Sequence, residues 1–255
     1  MRNLFLAAVV FSMAAGCATA PINTVFQTST IDALLAGIYD GHLSCKDLMK
    51  RGNFGIGTFE ALDGEMVLLD GQMYQVKADG TVNEAQNSAM TPFAAVCSFE
   101  PEIRFDPEPS SDFAAIEEQV DRIAPNKNLF CAVRIHGRFK KMHTRSVPRQ
   151  QKPYPPLKDV TARQPEFFME DIEGDIAGFR CPEFVKGVNV PGYHLHFISS
   201  DRTQGGHILG FEMAEGKGAA DILNRFYLQL PDDAESFAGA DLSKDRSAEL
   251  NAVEK

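Results

Sequence analysis

The chain lacks a surplus of basic residues. Its 25 lysines and arginines stand against 35 aspartates and glutamates, which gives a formal net charge of -10 at pH 7. No basic stretch is present that could neutralise phosphates, so the composition argues against a nucleic-acid-binding protein. At 255 residues, with 44% hydrophobic and 24% charged residues, the chain is long enough for one large globular domain or two compact lobes.

The sequence also lacks a C-x-x-C pair, and this absence argues against both a zinc ribbon and a thioredoxin-like redox pair. Apart from the N-terminal segment, four widely spaced cysteines are present: Cys45, Cys97, Cys131 and Cys181. Cys97 and Cys131 lie in apolar, strand-like runs. We predict buried and inert thiols, although disulfides are permitted in an exported chain.

Long hydrophobic runs are absent except over residues 4–15, directly after Arg2. This run is too short to span a membrane and predicts a signal peptide over residues 1–20. Cleavage could occur at a lipobox-like Ala-Ala-Gly-Cys sequence ending at Cys17, or after Ala20, which the following Pro21 disfavours. We expect a periplasmic or membrane-anchored lipoprotein, tethered through lipidated Cys17, or otherwise a secreted protein.

The apolar spacing predicts two amphipathic helices in a chain that otherwise reads as strands. The first is capped at residues 29–30 and ends at Gly41, and the second is capped at residues 110–111 and stops at Pro125. Two Asp-Gly pairs, at residues 70–71 and 79–80, predict tight hairpin turns. Strands with a few segregated helices indicate an α+β fold.

Three of the six histidines, His194, His196 and His207, lie within one short segment. His194 and His196 are two residues apart in the strand-like run GYHLHFIS, so their imidazoles emerge on the same face of the strand. If the chain turns at residues 201–202, His196 lies opposite His207 in an antiparallel pair and the three imidazoles converge. A bulge at residues 205–206 could shift this register.

Three imidazole nitrogens without a thiolate are typical of a catalytic zinc site, which keeps a position open for water or substrate. Nickel, iron, manganese or copper are possible on the same ligands. The other histidines, His42, His136 and His143, have no comparable neighbours in the sequence, and we predict structural roles for them.

Three longer motifs occur in order along the chain: FQTSTIDALLAGIYDG, FGIGTFEALDGE followed by GQMYQVKADG, and GYHLHFISSDRTQGGH. In order and spacing they resemble the acetolactate decarboxylase family over about residues 25–254. They also separate the chain from the cupins, which place H-x-H and a later histidine in a smaller barrel. The resemblance implies decarboxylation of (S)-2-acetolactate to (R)-acetoin and CO2, a zinc ion held by His194, His196 and His207, and a homodimer.

The same resemblance implies further site residues. It assigns Glu65 of the LDGE motif, Arg145 and Glu254 to catalysis, with Glu249 as the alternative to Glu254, and it makes Arg145 and Thr58 substrate contacts. Loss of CO2 from a 3-keto acid leaves two electrons that the ketone oxygen must accept, so a Lewis acid there lowers the barrier. The arginine would hold the carboxylate or keto oxygen, and a glutamic acid would protonate one face of the enediolate.

The expected fold has two lobes of mixed or antiparallel β-sheet with a few helices, and the metal site lies on strands of the C-terminal lobe. After the signal peptide, the expected divisions are an N-terminal α+β lobe over residues 21–150, a Pro-rich connection over 151–165, a C-terminal β-rich metal-binding lobe over 166–232, and a C-terminal tail over 233–255 that returns to the site.

Two other functions stay open on the residues alone. One is another three-histidine metal enzyme, such as a cupin-like oxygenase or isomerase, which iron in the purified protein would favour. The other is a non-catalytic lipoprotein that binds a metal or a small acid, which an absence of CO2 release would favour.

Overall fold

The computed structural model describes residues 22–232 and 235–254. The expected signal peptide over residues 1–20 and the possible lipid attachment site at Cys17 lie outside the described residues. Within the described part of the chain, no helix is both long enough and apolar enough to span a bilayer.

Most of the described chain is sheet. In chain order the strands are β1 Thr24–Thr28, β2 Leu43–Ser44, β3 Phe54–Thr58, β4 Glu65–Leu69, β5 Gln72–Val76, β6 Val82–Glu84, β7 Met90–Thr91, β8 Ala94–Cys97, β9 Ile103–Phe105, β10 Phe130–Arg145, β11 Glu166–Cys181, β12 Gly192–Ser199, β13 Gly205–Leu223 and β14 Arg225–Gln229. The helices are α1 Ile31–Leu35, α2 Cys45–Met49, α3 Phe113–Ile123, α4 Leu157–Thr161, α5 Glu235–Ala238 and α6 Ser247–Glu254. The expected α+β class, with sheets and a few helices, is confirmed.

The strands form two large sheets and one two-stranded pair, β2–β7. The first sheet has the order β14-β1-β8-β3-β4-β5-β6 and is antiparallel except for the parallel pair β1–β14. The second has the order β10-β11-β12-β13-β9. Because β10 also pairs with β13, the strands β10 to β13 close into a ring of antiparallel pairings.

The boundary between the two sheets does not coincide with the boundary expected between the two lobes. β9 and β10 precede residue 150 but lie in the second sheet, and β14 returns to the first. The Pro-rich segment therefore connects β10 to β11, two neighbouring strands of one sheet. The reason is that β10 presents backbone N–H and C=O groups on both of its edges, and β11 and β13 pair with these edges over almost the whole length of the strand.

Both predicted helices are present, but their ends differ from the predicted ones. In α1, Thr30 is the N-cap, but the helix ends at Leu35 and not near Gly41. Gly37 adopts φ +89°, and its N–H donates to Leu34 O while the N–H of Ile38 donates to Ala33 O, the pattern of a glycine C-cap. α3 is capped by Asp112, whose side chain accepts from the N–H of Ala115, and not by Ser110 or Ser111.

The two predicted hairpins are confirmed. Asp70 and Gly71 both have positive φ, 52° and 79°, and connect β4 to β5, which is the geometry of a type I′ turn. Gly80, with φ 85°, lies in the turn between β5 and β6.

Apolar side chains from both sheets pack into shared cores. One buried cluster joins Phe54 and Val67 of the first sheet to Phe179 and Ile198 of the second. Another gathers side chains from α1, α4 and α6. The four cysteines outside the N-terminal segment are free and buried, as predicted from their apolar surroundings.

Candidate metal centre and active site

Two adjacent strands bring the three histidines together. His194 and His196 lie on β12, and His196 pairs directly with His207 of β13, so the predicted register is confirmed. On its other edge, β13 pairs His207 with Arg145, the last residue of β10. The closed ring of strands therefore places three imidazoles and one guanidinium at the same end of the second sheet.

The imidazole nitrogens are close enough to share one cation. One ring nitrogen from each of His194, His196 and His207 lies within 4.8 Å of the other two. The Nε2 atoms of His194 and His196 are 3.2 Å apart. Two nitrogens bound tetrahedrally at zinc distances would be separated by about 3.3 Å.

The hydrogen bond of His196 Nδ1 determines which ring nitrogen carries the proton. Nδ1 lies 2.9 Å from the carbonyl oxygen of Met66, which can only accept a hydrogen bond, so Nδ1 carries the proton. Nε2 therefore presents a lone pair to the cluster. A backbone carbonyl that orients an imidazole in this way is the usual support for a histidine metal ligand.

Two glutamates lie next to the imidazoles. Glu65 Oε2 is 3.6 Å from His196 Nε2, and Glu254 Oε2 is 3.7 Å from His194 Nε2 and 3.8 Å from His207 Nε2. Glu254 Oε2 is buried and has no hydrogen-bond partner among the described residues. An orphaned carboxylate oxygen beside three lone-pair nitrogens fits a bound divalent cation.

Helix α6 carries Glu254 to the cluster. Its apolar residues Leu250 and Val253 pack among the side chains of α1 and α4, which holds the last turn against the site. Glu249, the alternative considered from the sequence, pairs instead with Arg246 at 3.2 Å.

Arg145 is almost fully buried, with 3% of its surface exposed. One terminal nitrogen, Nη1, donates to Gln164 Oε1 and the other, Nη2, donates to Val253 O, both at 2.7 Å. Its Nε–H is buried and has no partner among the described residues.

Six residues proposed from the sequence line one cavity: Thr58, Glu65, Arg145, His194, His207 and Glu254. Thr58 and Glu65 face each other across the β3–β4 pair. The Thr58 hydroxyl donates to Gly64 O at 2.7 Å, so towards a ligand it offers lone pairs and not its proton.

The cavity also has an apolar wall that the sequence did not reveal, formed by Ile31, Leu34, Leu62, Phe93, Val147, Leu157 and Val253. These are apolar side chains without a reactive group, so no local signal separates them from the rest of the core. The three other histidines lie elsewhere. His42 contacts Thr28, while His136 and His143 lie beside carboxylates on the outer part of the second sheet.

Burial controls protonation in the site. It lowers the pKa of His194 to about 3, assisted by the positive charge of Arg145, and holds the pKa values of His196 and His207 well below their usual range. Burial also raises the pKa of Glu65 to about 7, a rise that Arg145 opposes and Glu254 increases. The pKa of Glu254 is raised by burial as well.

These groups have complementary chemical capacities. Neutral imidazoles are metal ligands, the arginine can bind an anion, and a carboxyl group with a pKa near 7 can give or take a proton at neutral pH.

Comparisons with known proteins point to one family. A family model described as alpha-acetolactate decarboxylase matches residues 25–244. Alpha-acetolactate decarboxylases of Methanosarcina mazei and Methylococcus capsulatus are 47% and 42% identical to the chain, over 91% and 90% of this chain and 81% and 88% of theirs. The crystal structure of alpha-acetolactate decarboxylase from Bacillus subtilis strain 168 is similar with a TM-score of 0.88 and 35% identity, covering 91% of this chain and 98% of that chain.

Proposed function

Since this chain belongs to the alpha-acetolactate decarboxylase family and is a carboxy-lyase, we propose that it converts (S)-2-acetolactate to (R)-acetoin and CO2 with zinc as its metal. The observation that carries the proposal is a cluster of three neutral imidazoles at a cavity that two of them line, His194 and His207, together with two carboxyl groups and one buried guanidinium.

His194, His196 and His207 would hold the metal ion. Three neutral nitrogen ligands without a thiolate are typical of catalytic zinc sites, and this donor set supports zinc over calcium or magnesium. When bound, zinc supplies a Lewis acid at the point where negative charge develops on the ketone oxygen. The hydrogen bond from His196 Nδ1 to Met66 O keeps the Nε2 lone pair directed at the cluster.

Arg145 would bind the substrate carboxylate or its keto oxygen. The guanidinium is permanently charged and is held by two hydrogen bonds, so it can fix the orientation of the breaking carbon–carbon bond relative to the ketone. The apolar wall would contact the methyl groups of the substrate and exclude water from the charged half of the cavity.

A glutamic acid would complete the reaction by delivering a proton to one face of the enediolate. Glu65 and Glu254 both line the cavity, and they approach the histidine cluster from different elements, β4 and α6. Protonation from one fixed side gives one acetoin enantiomer.

The variants Glu65→Gln and Glu254→Gln identify the proton donor. We expect the variant that lacks the donor to release CO2 slowly and to give both enantiomers, as measured by chiral gas chromatography.

The deciding experiment measures CO2 and acetoin released from racemic acetolactate by protein without residues 1–20. We expect (R)-acetoin as product, loss of activity on chelation and recovery with zinc. His207→Ala should lose both bound metal and activity, whereas the control His136→Ala, which changes an exposed histidine outside the cluster, should keep about one metal ion per chain.

Two results would contradict the proposal. A protein that binds one metal ion per chain but releases no CO2 would be a binding protein. A protein that iron reactivates and zinc does not would use a different metal chemistry.

We also propose export and a homodimer. The apolar run over residues 4–15 supports a signal peptide, with lipidation at Cys17 as the favoured processing. Mass spectrometry of the mature N-terminus would distinguish a lipidated Cys17 from cleavage after Ala20.

Light scattering of the protein without its first 20 residues would give the assembly size, and a monomer would contradict the dimer.

A further inference from the structure

Arg145 is an unusual buried arginine because both hydrogen-bond partners of its guanidinium are neutral. Gln164 and the carbonyl of Val253 accept from its two terminal nitrogens. Among the described residues, no carboxylate oxygen lies within 4.0 Å of Arg145 in an ion pair, although buried arginines usually pair with one. Arg145 acts on the cavity carboxyl groups only at a distance, since its charge opposes the rise that burial causes in the pKa values of Glu65 and Glu254 without a direct ion pair, so no carboxylate of the described residues occupies the guanidinium.

Gln164 is well placed to orient this arginine. It lies between α4 and β11, and its N–H donates to Thr161 O at the end of α4. The next residue, Pro165, accepts a hydrogen bond from the N–H of Ser146, directly after Arg145. These backbone contacts tie the loop to the end of β10, so the side chain of Gln164 meets Arg145 from a fixed position.

Because the guanidinium is planar, its two hydrogen bonds fix its orientation. With Nη1 held by Gln164 and Nη2 held by Val253, the plane of the group is set, and the buried Nε–H has no partner. Arg145 lines the cavity together with Thr58 and Glu65. Arg145 therefore brings to the cavity lining a guanidinium whose Nε–H has no protein partner and which forms no direct ion pair with a carboxylate among the described residues.

We propose that Gln164 is a positioning residue for the reaction: it orients Arg145 through a neutral acceptor, so that the guanidinium keeps its full charge for the substrate carboxylate. A glutamate in the same place would provide the same hydrogen bond but would neutralise the charge. This inference rests on the proposed function, because it assumes an anionic substrate, and it adds a residue from the Pro-rich segment to the site.

Two isosteric variants separate charge from orientation. Gln164→Glu keeps the acceptor and adds a negative charge, whereas Gln164→Met removes the acceptor and leaves the charge of Arg145 intact. The control is Arg163→Ala, an exposed neighbour in the same loop. Zinc content and thermal midpoint are recorded for each protein, so that a folding defect is recognised.

The readout compares an anionic ligand with a neutral ligand of similar size on the zinc-loaded enzyme. The anionic probe is 2,3-dihydroxy-2-methylbutanoate and the neutral probe is 2,3-butanediol. For Gln164→Glu we expect the dissociation constant of the carboxylate probe to rise about tenfold or more, while that of the diol changes less than about twofold. For Gln164→Met we expect kcat to fall about tenfold, with a smaller effect on the affinity for the carboxylate probe.

Equal affinity of Gln164→Glu and wild type for the carboxylate probe would overturn the proposal, and so would a wild-type kcat in Gln164→Met. Failure of the proposed function is recognised separately. If the wild-type enzyme releases no CO2 from acetolactate, that function is wrong, while the ratio of the two dissociation constants still decides whether Gln164 preserves the charge of Arg145.

Discussion

Asp221, on β13, is a buried carboxyl group outside the metal centre. Oδ2 accepts a hydrogen bond from the N–H of Glu100 at 2.8 Å, but Oδ1 is buried without a partner among the described residues. Burial raises the pKa of Asp221 to about 6. The hydrogen bond from Glu100 opposes this rise, and the charges of Glu102 and Glu100 increase it.

This pKa makes stability depend on pH. The folded state holds the proton of Asp221 more tightly than the unfolded chain, so the carboxyl group lowers the free energy of unfolding progressively as pH rises from about 4 to above 6. Asp221→Asn removes the titration. We expect the variant to gain about 1 kcal/mol of stability relative to wild type on going from pH 5 to pH 8, measured by urea denaturation.

The control for this change is Asp106→Asn, which alters an exposed carboxylate paired with Lys217. Its stability difference from wild type should be nearly the same at both pH values. A difference for Asp221→Asn that does not change with pH would show that the buried carboxyl group does not titrate in this range.

At the residue scale, the metal ligands could be predicted from sequence because their geometry is local. Two residues of separation on a strand fix the shared face of His194 and His196, and one short hairpin brings His207 opposite. Gln164 could not be predicted, because a glutamine in a Pro-rich loop has no periodicity. Its contact with Arg145 depends on how the loop after α4 lies against the end of β10, which local sequence does not specify.

At the scale of elements, three glycines differ in what a side chain would disturb: one lies in the β4–β5 turn and two lie in β13. Gly71 has φ 79° and open space around its missing Cβ, whereas Gly210 has neither a positive φ nor a close neighbour. Gly206 has φ 136°, and a Cβ there would lie 2.4 Å from Arg145 O. A side chain would therefore cause backbone strain alone at Gly71, neither effect at Gly210, and both strain and a steric clash at Gly206.

We expect Gly71→Ala to cost about 1 kcal/mol of stability through backbone strain alone, and Gly210→Ala to change stability by less than about 0.5 kcal/mol. Gly206→Ala should cost more than either and should also reduce bound metal, because it pushes the end of β10 away from the strand that carries His207. Chemical denaturation and metal analysis of the three variants test this order. A Gly206→Ala protein with full metal content and wild-type stability would contradict it.

The elements that could be predicted are those with local signals. The Asp70-Gly71 turn and the alternation around it identify the β4–β5 hairpin without further information. The pairing of β10 with β13 joins residues such as Arg145 and His207, which are far apart in sequence, and no local pattern specifies it. For this reason the expected division near residue 150 did not match the sheets.

At the scale of the whole molecule, a charged network ties the two sheets together. Asp175 of β11 is 2% exposed and accepts hydrogen bonds from Arg134 at 3.1 and 3.2 Å and from Arg202 at 3.3 Å. Arg134 also donates to Asp70, in the β4–β5 turn of the first sheet, at 2.8 Å. Arg202 lies in the turn between β12 and β13, so the network reaches the hairpin that carries the metal ligands.

Asp175 and Asp70 share the same arginine but differ in burial, and this difference predicts different effects on stability. Asp175→Asn leaves two arginines without their buried anionic partner and should cost about 2–3 kcal/mol. Asp70→Asn breaks a pair whose carboxylate is 71% exposed and should cost less than about 1 kcal/mol. Urea denaturation gives both values, and hydrogen exchange of the β12–β13 hairpin should accelerate only in Asp175→Asn. Equal effects of the two variants would mean that the network contributes no more than an ordinary surface ion pair, and that the packed apolar side chains alone hold the sheets together.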